Sequence, residues 1–148
     1  MKRLLILPIS LLLIAFGTLA VTACSSEDDD VNINPLLLNT WVMVSYGNES
    51  NEVIKEANGY FYIITFKSDG TYSGSAYMNE MNGDYKCNDY EIRISNPNIT
   101  KVQFEGSDRD QFFLTHIRDV NSYTVTNTEL RLYYMQNQYF KFRIYNKE

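Results

Sequence analysis

The chain has 148 residues, 45% of them hydrophobic and 21% charged, with 18 acidic against 13 basic side chains and a formal net charge of −5. That length supports one domain, and an acidic balance with no basic cluster excludes a surface built to neutralise nucleic-acid phosphates. Two cysteines, Cys24 and Cys87, and one histidine, His116, are too few for a disulfide framework, a histidine-rich metal site or a catalytic triad.

In chain order, Lys2 and Arg3 precede an apolar run from Leu4 to Val21, and the stretch Val21-Thr22-Ala23-Cys24 closes it. Pro8, Ser10, Gly17 and Thr18 dilute the run as a bilayer span, and a small residue stands before the cysteine where a processing enzyme needs one. The pattern resembles the lipobox of bacterial lipoproteins, which implies removal of residues 1–23 as a signal peptide and lipid attachment at Cys24. Ser25 follows, where an aspartate would resemble an inner-membrane retention signal, so the expected destination is the outer membrane. The run Ser25, Ser26, Glu27, Asp28, Asp29, Asp30 resembles the acidic export tag of Bacteroidota lipoproteins, which implies display on the extracellular face. As a physical object it is also a solvated linker, since contiguous like charges repel.

The expected organisation is therefore a signal peptide at 1–23, a lipidated acidic tether at 24–33 and one domain at 34–148. Taking 23 leader residues from 148 leaves 125. Lys2 and Arg3 leave with the leader, so 11 basic residues face 18 acidic ones, a net of −7. Four of those charges sit in the tether, which leaves the domain at −3. Lipidation consumes Cys24, so Cys87 reads as a small packed or turn-side residue, with an intermolecular disulfide as the lesser reading.

Asn34-Pro35 followed by Leu36, Leu37 and Leu38 predicts a short capped helical turn that plugs one end of the domain. Trp41 to Tyr46 is the first strand and Gly47 to Asn51 a polar break, while Glu52 to Asn58 fits either a helical turn or a loop ended by Gly59. Tyr60 to Lys67 and Thr71 to Met78 flank Ser68-Asp69-Gly70, a hairpin signal. Gly83 to Lys86 and Tyr90 to Ser95 flank Cys87-Asn88-Asp89 as a second hairpin, and Asn96-Pro97-Asn98 reads as a turn into Ile99 to Phe104. A run of strands without a crossover helix predicts an antiparallel meander.

Arg109 to Val120 places Phe113, Ile117 and Val120 at helical spacing beside Phe112, with Ser107 or Asp108 as the cap, and predicts one helix packed on the sheet. Strands follow at Ser122 to Thr126, Glu129 to Met135 and Tyr139 to Tyr145. In the last two, Leu130, Leu132, Tyr134, Phe140, Phe142 and Ile144 alternate with polar or half-polar residues, so one face enters a core. With Asn137 in the left-handed position of the loop, Tyr133 falls opposite Tyr139 and Glu129 opposite Arg143. The expected fold is mainly β (α+β): an antiparallel meander closing into a small barrel-like sheet with one packed helix.

Phe112-Phe113-Leu114, Val120, Tyr123-Thr124-Val125, Glu129-Leu130-Arg131-Leu132 and Phe140-Lys141-Phe142 together resemble the META domain of HslJ-like bacterial lipoproteins. Trp41 to Tyr46, Ile64-Thr65-Phe66, Asp69-Gly70, Gly74, Asn79, Gly83-Asp84-Tyr85 and Ile99-Thr100-Lys101 follow the same order of elements. The resemblance implies a compact β structure with one helix, a cell-envelope location and no transferable catalytic residues. Family members often carry Gly-Cys-Asn where this chain has Tyr77-Met78-Asn79, and a cysteine where it has Val102-Gln103-Phe104; joint loss is what two partners would undergo. Asn39-Thr40-Trp41 is also similar to the entry of lipocalin barrels, without their glycine.

His116 reads as a surface or half-buried helix residue. Carboxylates Glu80, Asp84, Asp89 and Glu91 crowd one stretch whose turn-rich context makes them caps and loop residues; a glycosidase pair, or a calcium site completed by Asn79, Asn82 and Asn88, is the alternative use. The expectation is no catalytic residue, no metal and no cofactor. What stands out is tyrosine, 12 in all. Tyr133, Tyr139 and Tyr145 fall on the inferred outer face beside Arg131, Lys141 and Arg143, a combination that suits a protein or glycan partner. The expected protein is a monomeric surface lipoprotein that binds through this face, with a lipocalin-like carrier as the alternative and a hydrolase further back.

Overall fold

The computed structural model describes residues 33–54, 62–102 and 108–146. The expected signal peptide, Cys24, the expected acidic tag and the segments 55–61 and 103–107 lie outside the described residues, and with them the cap expected at Ser107 and the strand ends expected at Tyr60 and Phe104.

The first element is a 3₁₀ turn, Pro35–Leu37, formed as its composition predicts: Asn34 Oδ1 accepts the Leu36 N–H at 3.0 Å and proline stands in the first turn. Leu37 is fully buried and its carbonyl accepts the Trp41 indole N–H at 3.0 Å, which fixes the turn to the first strand. Strands β1 (Thr40–Asn48), β2 (Asn51–Ile54), β3 (Tyr62–Phe66), β4 (Thr71–Ala76), β5 (Asn79–Cys87) and β6 (Ile92–Ile99) come next. Helix α1 (Asp108–His116) continues as a 3₁₀ turn over Ile117–Asp119, and β7 (Ser122–Val125), β8 (Glu129–Met135) and β9 (Gln138–Ile144) complete the order.

All these strands join one antiparallel sheet in the order β6-β5-β4-β3-β1-β9-β8-β7, with β2 attached to β1. β1 is its hub. One edge of β1 carries β9, while the other carries β3 along Thr40–Val42 and β2 along Ser45–Asn48, with a bulge after Met43 dividing the two halves. The sheet curls into a half-barrel until its two outermost strands touch: Glu91 bridges Ser122, and the Tyr123 N–H reaches the Tyr90 carbonyl at 2.9 Å. The barrel-like meander with one helix is thus the observed fold.

Alternation decides what the concave side holds. Trp41, Tyr72, Tyr85, Phe140 and Phe142 on the strands and Phe113 and Ile117 on the helical segment are fully buried there. Phe113 meets the ring of Phe140 at 5.0 Å and of Tyr62 at 5.2 Å. A fully buried apolar side chain of this size contributes about 1.5–3 kcal/mol over an exposed one, so Phe113 and Ile117 are the main anchors of the helical segment on the sheet. A Cβ at Gly83 would lie 2.6 Å from the Ser95 carbonyl oxygen and 2.9 Å from both the Asn96 carbonyl oxygen and the Tyr72 ring, so glycine makes room for the bulged β6 backbone as well as for that ring.

Three expectations are corrected. The described part of Glu52 to Asn58 is strand, not helical turn or loop, because β1 runs past Gly47 to Asn48 and offers an open edge that Asn51–Ile54 occupies. Asn96-Pro97-Asn98 does not turn the chain. Asn96 takes φ 49° at a bulge in the β5–β6 pairing, donates its amide to Asp84 Oδ2 at 2.9 Å, and β6 continues to Ile99, where it ends, so residues 100–102 are not the strand expected there. Proline is tolerated there, in the outermost strand of the path and beside a bulge. Finally, β4 ends at Ala76 and β5 begins at Asn79, earlier than Gly83, because Tyr77 at φ 55° and Met78 form a tight connection.

Candidate functional site

The last hairpin has the expected register: Tyr133 pairs with Tyr139 and Glu129 with Arg143, through a turn in which Asn137 has φ 61°. Its outer face holds Arg131, Tyr133, Tyr139 and Lys141, as alternation requires, but they are not a free cationic patch. The β1–β2 hairpin supplies the difference. Glu52 on β2 accepts a hydrogen bond from Ser45 Oγ and another from Lys141 Nζ, the latter at 3.0 Å. The Ser45 hydroxyl and then Lys141 hold the Glu52 carboxyl below the usual carboxylate range.

Arg131 is engaged from several sides. Its Nε donates to Glu129 Oε1 at 2.8 Å, one Nη stands 4.0 Å from Glu49, and the guanidinium lies 5.0 Å from the centre of the Tyr139 ring. Under this cover Tyr139 is only 3% exposed, although it lies outside the apolar core. Tyr133 meets it edge to face at 5.7 Å and remains half-buried. Tyr145 is half-buried and bonds through its backbone to Thr40, while Arg143 is exposed and donates to the Ile144 carbonyl. The structure therefore gathers Arg131, Tyr133, Tyr139 and Lys141 and leaves Arg143 and Tyr145 at the margin.

At the turn end of this face the two tyrosines floor a recess of about 580 Å³. Asn48, Glu49 and Ser50 of the β1–β2 turn form one wall, and Gln136 and Asn137 of the β8–β9 turn form the other. Asn48 shapes its own wall, because its Oδ1 accepts the backbone N–H groups of Ser50 and Asn51 at 3.0 and 2.9 Å. That leaves its amide NH₂ as the group it can offer to a ligand. Sequence reasoning missed Asn48, Glu49, Ser50, Glu52, Gln136 and Asn137 as site residues. The signal present was the polar stretch Asn48-Glu49-Ser50 after a strand-forming run, which marks a turn; nothing local places that turn next to residues 136–137.

The other candidates resolve into structural roles. His116 is half-buried, stacks on Tyr134 at 5.0 Å, and places Nδ1 3.0 Å from Asp119. Asp84 accepts from Asn96, Asn88 caps the turn before Glu91, and Asn79 receives the Val102 N–H at 2.8 Å. Among the described residues no three His, Cys, Asp or Glu side chains converge as metal ligands. Asn79 and Val102 thus bring together the two stretches where this chain differs from the cysteine-bearing pattern. Cys87 is a half-buried thiol, and burial pushes its pKa up.

Fold and face together define a small antiparallel half-barrel, plugged by a helix, that offers a polar recess between two hairpin turns. The family model for the META domain matches residues 34–144, and the chain belongs to the META domain family. Among solved structures, a DUF4847 family protein from Bacteroides vulgatus is similar with a TM-score of 0.58 at 19% identity, covering 76% of this chain and 96% of that one. A protein from Burkholderia xenovorans is similar with a TM-score of 0.62 at 17% identity, covering 75% and 86%. At those identities the likeness is one of fold. A search of curated proteins finds no match.

Proposed function

We propose that this protein is a lipid-anchored lipoprotein of the outer membrane, displayed on the extracellular face, that acts as a monomeric binding module and not by catalysis. The lipobox-like stretch ending at Cys24 and the acidic run after it support the location. The recess carries the binding reading: Arg131 packs over Tyr139 and Tyr133 packs edge-on against it, so these rings have less side-chain entropy to lose when a partner covers them. A carrier would place its ligand inside the barrel, where the rings of Trp41, Tyr72, Tyr85, Phe113, Phe140 and Phe142 already stand. The outer face is the better place for a partner.

The test uses intact cells expressing the full chain with a photo-crosslinking residue in place of Gln136. Light should trap a macromolecule, and protease added outside should remove the domain. Full protection from protease sinks the display reading; absence of any adduct from position 136, with adducts from a control position elsewhere, sinks the binding face.

A further inference from the structure

We infer that the recess between the β1–β2 and β8–β9 turns takes a neutral carbohydrate chain, an inference that rests on the binding reading above and names its ligand class. Charge is the first reason. Among the described residues the cations in contact with the floor or its network, Arg131 and Lys141, are engaged by Glu129, Glu49 and Glu52, three carboxylates to two cations. An anionic ligand would meet a neutralised surface with a carboxylate, Glu49, on the wall, and would have to displace an ion pair to find a counter-charge. Neutral ligands meet no such barrier.

The second reason is the chemistry of the walls. Gln136 and Asn137 bring two carboxamides, each carrying donors and an acceptor, Asn48 adds amide donors alone because its Oδ1 is held by the Ser50 and Asn51 N–H groups, and Ser50 adds a hydroxyl. Neighbouring hydroxyls on a sugar ring ask for that combination of donor and acceptor from one side chain, and water asks for it equally, so an empty wall stays solvated at no penalty. The third reason is the floor: Tyr133 offers a half-exposed ring edge-on to Tyr139, suited to the C–H face of a sugar. A volume of about 580 Å³ lies within the range of small-ligand sites and leaves the ends of a chain free to continue into solvent. An apolar ligand would leave these amides unmatched.

The experiment is a glycan array carrying neutral, sulfated and sialylated glycans, probed with the full chain in detergent micelles and with the variants Gln136→Ala and Asn137→Gly. Glycine keeps the left-handed backbone that Asn137 adopts, so this variant removes the carboxamide without straining the turn. Retention of a set of neutral glycans, weakened about tenfold or more in each variant while the thermal melt is unchanged, is the expected result. Retention of charged glycans alone, or neutral retention indifferent to both variants, overturns the inference. Protein adducts from position 136 with no glycan retained would overturn the sugar class and keep the binding face; neither adduct nor glycan would overturn both.

Discussion

The two faces of the β8–β9 hairpin are made from interleaved residues of one short stretch and reach their states by different routes. On the inner face Leu130, Leu132, Phe140 and Phe142 are fully buried, and alternation within residues 129–144 is enough to say so. On the outer face the same alternation sets direction alone. Whether Tyr139 is wet or dry, and whether Lys141 is a free cation or a paired one, depends on Glu49 and Glu52 arriving on the β1–β2 hairpin; the Lys141–Glu52 bond spans 89 positions of sequence. A pleated strand fixes which side a side chain takes, and the neighbours on that side fix what it can do.

Adjacent residues give the largest test of this contrast. Phe140 stacks on Tyr134 at 4.4 Å and meets Phe113 at 5.0 Å, so Phe140→Ala empties a site lined by rings and is expected to cost about 3–5 kcal/mol. Lys141→Ala removes a partly exposed ion pair and is expected to cost less than about 1 kcal/mol. Urea unfolding reads both as shifts in midpoint at constant slope. Equal losses would mean that the ion-pair network holds the sheet as firmly as its core, and the contrast between faces would fail.

The same contrast separates what the sequence discloses from what it hides. The capped turn at Asn34, the Asp69-Gly70 hairpin, the helix face of Phe113 and Ile117 and the final register through Asn137 all follow from short-range chemistry: caps, turn residues and period. Strand β2 was hidden because its four residues, Asn51 to Ile54, include an asparagine and a glutamate of poor strand preference, and its place is set by an edge that β1 leaves open. Asn96-Pro97-Asn98 was misread because turn residues also serve bulges, and only the β5 partner distinguishes the two. The tyrosine and cation face was legible as composition and direction. Its neutralisation and its recess were not, because both depend on a second hairpin docked from far along the chain.

The inner face has polar exceptions that sharpen the comparison at a smaller scale. Tyr85 donates its hydroxyl to the Lys67 carbonyl at 2.7 Å, whereas the buried Tyr72 hydroxyl finds no hydrogen-bond partner among the described residues. Tyr85→Phe should therefore destabilise by about 1 kcal/mol, and Tyr72→Phe should be neutral or stabilise by up to about 1 kcal/mol. Alkali does not separate them, because burial raises the Tyr85 hydroxyl as well, but it tests the burial of each. Burial pushes Tyr72 up to about 12 from an ordinary value of 10.0, so above pH 10 the unfolded chain sheds a proton that the folded one keeps. That contribution to stability is complete below the unfolded value and is lost as pH rises toward 12. Tyr72→Phe should flatten this part of the stability profile; an unchanged slope would show that the Tyr72 hydroxyl ionises as readily in the fold as out of it.

The smallest effect tests the outer face by itself. Glu52 owes its lowered pKa first to the Ser45 hydroxyl and then to Lys141, both reached only when β2 lies on β1. A depressed carboxylate stabilises the fold above its unfolded value of 4.5, and that contribution disappears as pH falls through the folded value. Partial exposure screens the pair, so the change in stability is small and the titration itself is the better readout. Ser45→Ala should move the Glu52 carboxyl signal, followed by carbon NMR, upward toward 4.5. Asp69 supplies the control: its carboxyl is also lowered, by the hydroxyl and amide of Thr71 two positions on, and should not move. If Glu52 titrates at its ordinary value in the unmodified protein, β2 does not seat the carboxylate on Lys141. The outer face would then be governed by the last hairpin alone, with Lys141 released from Glu52 while Arg131 keeps Glu129.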